Sequence, residues 1–178
     1  WNIRFPRILG GIMAGFGLAP YGGRKEQVER CLTISADLLQ REKKIRSKAK
    51  GSGYLSWSYS STGDSIGSAL YEVSTLEQDG YEYGTLVLRY STDGEPVVCR
   101  VHLKASPLPW GGIRWGFVCP VCGSARRKLH LPPGGRFFAC RLCYDLTYRS
   151  CQESHKFDAM FRRLGVSEKR MKEILGTD

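Results

Sequence analysis

The 178-residue sequence lacks an apolar run long enough to cross a lipid bilayer. Its most apolar stretch, residues 8–20, follows Arg4 and superficially resembles a signal peptide. Glycines interrupt that stretch, and it is shorter than the roughly 20 apolar residues of a membrane-spanning helix. We therefore predict no membrane segment and read residues 1–23 as a glycine-rich arm. Met13 is the expected natural start, so residues 1–12 are either translated from upstream of it or foreign to the protein, and in both cases we expect them to be dispensable.

Catalytic signatures are absent from the sequence as well. It contains no phosphate-binding glycine loop, no dinucleotide-binding fingerprint and no Ser-His-Asp arrangement. The three histidines, His102, His130 and His155, lack the spacing of metal ligands. We interpret His102 as facing away from the apolar side of its strand and His130 as a surface residue. We therefore expect no enzymatic activity and no small-molecule substrate.

Acidic residues are scarce relative to basic ones, 17 against 27, which gives a formal net charge of +10. Residues 51–109 nevertheless hold seven acidic and three basic residues, whereas residues 24–50 and 110–178 are strongly basic. An acidic centre between basic flanks is typical of a scaffold that carries basic surfaces, and nucleic acid is the usual partner of such surfaces. Ordinary solubilising charge is the alternative interpretation.

Four cysteines form two matched pairs, Cys119-Pro-Val-Cys122 and Cys140-Arg-Leu-Cys143, separated by seventeen residues. A two-residue gap lets both thiolates of a pair face one ion from a tight turn, and Gly123 suits the positive φ of such a turn. The spacing is typical of a zinc site with four cysteine ligands, with two disulfides or chance as the alternatives. Because all four ligands come from the protein, one zinc ion would be structural and not catalytic.

The other three cysteines, Cys31, Cys99 and Cys151, are too scattered for a second metal site. Cys31 and Cys99 lie in apolar contexts and are expected to be buried thiols. This usage of cysteine fits a reducing compartment and therefore a cytoplasmic protein.

The residues between the cysteine pairs predict a β-hairpin, with one strand over 125–131, a Pro-Pro-Gly-Gly turn and a return strand over 136–139. Such a hairpin brings the second pair beside the first, as in a zinc ribbon. Arg126, Lys128 and His130 alternate along the first strand, so we expect them to share one face. The basic residues expected to extend this nucleic-acid-binding face are Arg136, Arg141 and Arg149.

A second basic patch lies within residues 41–50, which include only one acidic residue. The patch is either a solvated helix face that runs into a linker or a strip that contacts phosphates, and the sequence favours neither interpretation. Its candidate nucleic-acid contacts are Lys43, Lys44, Arg46, Lys48 and Lys50.

Two helices are predicted ahead of the sheet. The first is a short helix over 24–32. Ser35 is then read as the N-cap of a second helix over 36–45, with Leu38 and Leu39 as its apolar contact. We expect this second helix to cover the apolar face of the sheet that follows.

From residue 51 onward the apolar period changes to two, which predicts an antiparallel meander of about four strands. Asp93-Gly94 marks one of its hairpin turns. Trp57 and the tyrosines near it are interpreted as core residues, because the segment is net negative. A base-stacking platform is the alternative.

The predicted fold is α+β: residues 24–109 form a small antiparallel meander with a packed helix, residues 110–150 a zinc ribbon, and residues 151–178 a helical tail. The tail helices are expected over 157–164 and 168–175. Three aromatic residues are expected to pack the ribbon against the sheet, namely Trp110, Trp115 and Phe117.

Several segments resemble an uncharacterised family of bacterial zinc-ribbon proteins that occur on plasmids, prophages and integrative elements. The segments that carry the resemblance are Met13-Ala-Gly-Phe-Gly, Val28-Glu-Arg-Cys-Leu-Thr, Gly53-Tyr-Leu-Ser-Trp-Ser, Ser65-Ile-Gly, Phe117-Val-Cys-Pro-Val-Cys-Gly and Phe138-Ala-Cys-Arg-Leu-Cys-Tyr-Asp-Leu-Thr-Tyr-Arg-Ser. The resemblance covers nearly all of residues 13–164. It implies bound zinc, a bacterial cytosol and a mobile-element context, and it implies no particular reaction.

The sequence as a whole therefore predicts a zinc-ribbon protein that binds DNA or RNA as an accessory or regulatory factor of a bacterial mobile element. The alternative function is a protein-interaction module. Zinc ribbons also serve as docking surfaces, so the ribbon would then contact a host complex such as RNA polymerase or a defence system.

Overall fold

A computed structural model gives the fold of the protein and describes residues 25–58 and 63–153 together with Arg163. The predicted N-terminal arm and, apart from Arg163, the predicted tail helices lie outside these residues. Within the described part of the chain, no helix has both the length and the apolar character needed to cross a membrane.

The fold is mostly antiparallel β-sheet with few helices, as the α+β prediction requires. A six-stranded sheet has its strands in chain order, so it is a meander of six strands where about four were predicted. Its strands are β2 (Lys50–Ser58), β3 (Ser65–Gln78), β4 (Tyr81–Thr92), β5 (Glu95–Pro107), β6 (Ile113–Val118) and β7 (Ala125–Arg126). The remaining elements are β1 (Leu32–Ser35), β8 (Lys128–Leu131), which pairs with β1 in a second sheet, and the helix α1 (Ala36–Arg41).

Two Asp-Gly turns set the register of the long strands. Asp93 and Gly94 join β4 to β5, and both have positive φ, 52° and 81°. Asp79 and Gly80 join β3 to β4 in the same way. Positive φ at both central residues gives the turn the twist of the strands it connects. The hairpin predicted at Asp93-Gly94 is therefore confirmed.

Both predicted N-terminal helices need correction. In place of a helix over 24–32, the chain forms one 3-10 turn, Val28–Arg30, and then enters β1. β1 pairs with β8 along its whole length, and β-branched Thr33 and Ile34 suit a strand. The second helix ends at Arg41 and not at residue 45, because Lys43 adopts a φ of 58° that a helix does not allow.

Ser35 occupies the N-cap position of α1, but its side chain makes no capping hydrogen bond. The amide of Ala36 instead donates to the carbonyl of Arg127, at 3.0 Å. Leu39 is buried as predicted, whereas Leu38 is exposed. The chain between β7 and β8 thus holds the first turn of the helix.

One hydrophobic core fills the space between one face of the six-stranded sheet and the layer formed by α1, the β1–β8 sheet and the cysteine turns. Trp115 and Phe117 are fully buried in it, as predicted, whereas Trp110 is almost fully exposed. Gln40 attaches α1 to β6: its amide donates to the carbonyl of Ile113, and its oxygen accepts the amide of Trp115. The predicted lid over the sheet is confirmed, although the helix is shorter than expected.

Candidate metal centre

The first cysteine pair lies in a tight turn directly after β6. The amide of Cys119 donates to the carbonyl of Ser124, and the amide of Gly123 donates to the carbonyl of Cys119, both at 2.9 Å. Gly123 has a φ of 69°, the positive value predicted for it. The turn therefore directs Cys119 and Cys122 to the same side.

The second cysteine pair is brought back by a short antiparallel bridge. His130 and Ala139 exchange two backbone hydrogen bonds, at 2.8 and 3.0 Å, and Cys140 follows immediately. Cys143 then donates its amide to the carbonyl of Cys140, at 3.0 Å, which closes the second turn. The two turns are linked because the amide of Cys140 donates to the Sγ of Cys119, at 3.3 Å.

The four sulfur atoms lie where one tetrahedral ion would place them. All four lie within 4.8 Å of one another. Three Sγ–Sγ separations are 3.9 Å for Cys119–Cys143, 3.8 Å for Cys122–Cys140 and 3.5 Å for Cys140–Cys143. Four thiolates about 2.3 Å from a central zinc ion are about 3.8 Å apart. A disulfide would need about 2.05 Å, so the structure contains four free thiols.

The environment of the four thiols is uneven. Cys119 and Cys140 are buried in the hydrophobic core, whereas Cys122 is exposed. Burial raises the pKa of Cys119 and of Cys143, while hydrogen bonding to Ser124 lowers the pKa of Cys122 to about 6. A bound cation favours the deprotonated form of every ligand, so it would offset the cost of burying thiolates here. The donor set therefore fits a closed structural metal site.

Phe138 connects the cysteine turns to the sheet, although no core role was predicted for it. Its buried ring is stacked 6.0 Å from Trp57 and packs edge-on 5.6 Å from Tyr90. Tyr90 also donates its hydroxyl to the carbonyl of Arg136, at 2.6 Å. Trp57 and Tyr90 are therefore core-facing, as their strand spacing predicted. The aromatic residue two positions before Cys140 was the available signal for this contact.

The predicted basic face of the ribbon is not formed as expected. The strand predicted over 125–131 is interrupted at Arg127, where the chain leaves the six-stranded sheet and enters the second one. Arg126 pairs with β6, its Nε is buried, and this nitrogen has no hydrogen-bond partner. Lys128 is exposed in β8, and His130 is buried, which contradicts its prediction as a surface residue. Arg126 therefore lies in a different sheet from Lys128 and His130, and the three side chains do not form one exposed basic face.

The other predicted nucleic-acid contacts of the ribbon differ in their exposure and in their interactions. Arg136 is exposed, and no ion pair involves it among the described residues. Arg141 is half-buried, donates to the carbonyl of Leu146 and lies 5.4 Å from the ring centre of Tyr148. Arg149 forms an ion pair with Glu153 at 2.6 Å, and this hydrogen-bonded partner raises the pKa of Arg149. Of these three arginines, only Arg136 is both exposed and without an ion pair among the described residues, as the predicted phosphate contact requires.

The second basic patch is neither a helix face nor a uniform strip, because most of it follows the end of α1. Lys44 is paired with Glu42 at 2.7 Å, and Lys48 with Glu77 at 2.6 Å. Lys43 and Arg46 are exposed, and Arg46 donates to the carbonyl of Lys43. Lys50 begins β2 and lies on the other side of the sheet from the core.

His130 forms a buried polar contact that holds β1 against β8. Its Nδ1 lies 2.9 Å from the hydroxyl of Thr33, directly opposite in the strand register. Burial lowers the pKa of His130, and the charges of Lys128 and Arg141 lower it further. The folded state therefore favours the neutral imidazole.

We predict that acid destabilises the fold partly through His130. An unfolded histidine takes up a proton near pH 6.5, whereas the folded one resists it, so the unfolded state binds more protons and stability falls as pH drops through that value. The variant His130→Gln should lose less unfolding free energy than the unmodified protein between about pH 7.5 and pH 6 in denaturant titrations. Equal losses would show that His130 does not contribute, because thiol titration is common to both proteins.

Comparison with known proteins identifies no relative: no protein-family model, no curated protein and no solved structure matches this chain. Within the described residues, the four cysteines form the one group of three or more potential ligands that could hold a metal ion. Their arrangement, described above, is therefore the basis for assigning a function.

Proposed function

We propose that this protein is a zinc-ribbon protein that binds nucleic acid and has no catalytic activity of its own. Zinc is the proposed metal because four thiolates at tetrahedral spacing form its preferred structural site. The proposed compartment is the reducing bacterial cytosol, where such thiols remain free to bind metal. When bound, the ion would supply a rigid cross-link between the two cysteine turns and no chemistry toward a substrate.

The observation that supports nucleic-acid binding is the set of accessible basic residues without acidic partners. Lys128 and Arg136 are both exposed in the segment that joins the two cysteine turns, and neither forms an ion pair with any residue that the structure describes. They flank backbone held in place by the His130–Ala139 bridge. Rigid backbone reduces the conformational entropy lost when these side chains bind phosphates. Because the chain resembles a family found on mobile elements, we propose that it acts on DNA or RNA as an accessory or regulatory factor of such an element.

A protein-docking function is the second candidate, and the apolar tips of the cysteine turns favour it. Val121 and Leu142 lie between the paired cysteines of each turn, and both side chains are exposed. Exposed apolar residues on a rigid support are typical of protein interfaces. In this case the partner would be a host protein complex.

Salt dependence tests the proposed function. We expect the protein to bind a labelled DNA duplex or RNA strand with an affinity that falls steeply with salt, because binding to phosphates releases counterions. A plot of the logarithm of the binding constant against the logarithm of the salt concentration should have a slope that is smaller by about 1.4 to 1.8 for the variant Lys128→Gln/Arg136→Gln. Each phosphate contact contributes about 0.7 to this slope on single strands and about 0.9 on duplexes. Fluorescence anisotropy at several salt concentrations measures both quantities.

The matched control is Lys25→Gln/Arg30→Gln, which removes the same charge from residues already paired with Asp145 and Glu26. We expect its slope to remain unchanged. If the folded, metal-loaded protein binds neither DNA nor RNA, and Val121→Ser/Leu142→Ser abolishes capture of a nuclease-resistant protein partner, docking replaces nucleic-acid binding as the function.

A further inference from the structure

The six-stranded sheet has an open face, defined here as the side away from the core. Cross-strand register places its side chains in rows. One row runs Lys50, Ser74, Thr85, His102; the next runs Ser52, Glu72, Val87, Arg100. The side chains of β5 on this face are exposed, whereas the alternate ones are buried in the core. No described element packs over this side of the sheet.

Basic side chains are concentrated on the open face. They are contributed by β2, β4, β5 and β6, and they are Lys50, Arg89, Arg100, Lys104 and Arg114. Among the described strand residues, the one carboxylate on this face is Glu72, which is paired with Arg89 at 3.3 Å. The other acidic residues of strands β3 to β5 lie on the core-facing side or in turns. The open face therefore attracts a polyanion.

Exposed tyrosines accompany these basic residues. Tyr54 is 77% exposed and Tyr81 is 58% exposed, although both are aromatic strand residues. Tyr81 and Tyr83 lie on the same face of β4 with ring centres 6.4 Å apart, and Tyr83 is directly opposite Lys104. An aromatic ring next to a cation suits a nucleotide, because the base stacks while the phosphate is neutralised.

The centre of the open face is a shallow depression of about 710 Å³ with hydroxyl groups on its floor. Ser52, Ser74 and Thr85 line it together with Arg100. Serine and threonine hydroxyls both donate and accept hydrogen bonds, as the ribose 2′-hydroxyl does. This chemistry favours ribose over deoxyribose.

We propose that the open face binds single-stranded RNA, with bases stacked on Tyr54 and Tyr83 and phosphates held by Arg100 and Lys104. The proposal rests on the nucleic-acid-binding function above and assigns it a second surface and a substrate class. Arg100 and Lys104 are four residues apart on β5, hence about 14 Å, a distance that an extended strand of a few nucleotides covers. A duplex hides its base faces, so the tyrosines select unpaired bases.

The test uses a labelled single-stranded RNA of about twelve nucleotides, the DNA of the same sequence, and the RNA duplex, each titrated with the zinc-loaded full chain. Tyr54→Ala/Tyr83→Ala should bind the single-stranded RNA at least about tenfold more weakly. Arg100→Gln/Lys104→Gln should flatten the salt slope by about 1.4. The control Phe137→Ala, an exposed aromatic residue of the ribbon, should change neither quantity.

Three outcomes would overturn the proposal. The first is equal binding of RNA and DNA single strands, which removes the ribose assignment. The second is unchanged RNA binding by both folded open-face variants while Lys128→Gln/Arg136→Gln still weakens it; nucleic-acid binding then stands and the open face has no part in it. The third is a protein dimer that the tyrosine variant dissociates without loss of RNA affinity, which assigns the face to a second copy of the chain.

Discussion

Replacing Cys119 by serine should remove the metal and unfold most of the described protein, not only the ribbon. Cys119 is buried in the common core and follows β6, an internal strand of the six-stranded sheet. A structural zinc ion contributes about 10 to 16 kcal/mol of apparent binding free energy. Whole domains are stable by only about 5 to 15 kcal/mol. If the variant no longer binds the ion, the free energy that is lost is therefore of the same size as the total stability.

Circular dichroism, which follows the thermal transition, and metal analysis, which gives the zinc content, test this expectation. The variant should contain no stoichiometric zinc and should show no cooperative thermal transition of the native kind. Cys151→Ser is the control, because Cys151 lies outside the four-cysteine cluster, and we expect it to retain one zinc ion per chain. A Cys119→Ser protein that keeps its melting temperature would contradict both the metal site and its coupling to the sheet.

Truncating Phe138 to alanine should produce the second large effect, a loss of about 3 to 5 kcal/mol of unfolding free energy. The ring is 1% exposed and fills the space between Trp57 and Tyr90. Its removal leaves a cavity where the cysteine turns meet the sheet, and neither rigid partner ring can collapse into it. Urea denaturation at constant zinc concentration measures the difference.

Phe137 provides the matched control, since it is the adjacent residue and its side chain is 42% exposed. Phe137→Ala should change the unfolding free energy by about 0.5 kcal/mol or less, as surface substitutions usually do. Equal effects of the two substitutions would show that the Phe138 contact does not join the cysteine turns to the sheet.

The four-cysteine cluster and the meander could be predicted from the sequence because both depend on local spacing. A two-residue gap brings two thiolates together within one turn, and an apolar period of two defines a half-buried strand wherever it occurs. The Asp93-Gly94 turn is equally local, because the φ values that it needs restrict which residues fit. Each of these features depends on a few residues that are adjacent in the sequence.

The elements that could not be predicted depend on distant partners. No element was predicted at Thr33 and Ile34, because so short a segment shows no apolar period, and its pairing with the distant β8 makes it a strand. The burial of His130 also depends on a distant partner, because β1 pairs with β8 and Thr33 contacts the imidazole. The strand predicted over 125–131 is not continuous, because β7 pairs in the six-stranded sheet and β8 pairs in the second sheet, with Arg127 between them.

The net charge of residues 51–109 did not predict the charge of the open face. Residues 51–109 carry more acidic than basic residues, which favoured a core role for their aromatic residues. Strand alternation then separates the charges, with all three basic residues of that segment on one face and the carboxylates, apart from Glu72, elsewhere. Net charge is a property of a segment, whereas binding depends on the charge of a face.

The pairing of β1 with β8 also determines the order in which the protein can fold. Thr33 and His130 are 97 residues apart in the chain, whereas every hairpin of the meander is local. Local pairs form before distant ones because the entropy of loop closure opposes the latter. At about 5 to 20 residues per second, a ribosome needs on the order of 5 to 20 s to make the chain from β1 to β8. For that interval β1 cannot pair with β8, and the meander is complete before the two strands can join.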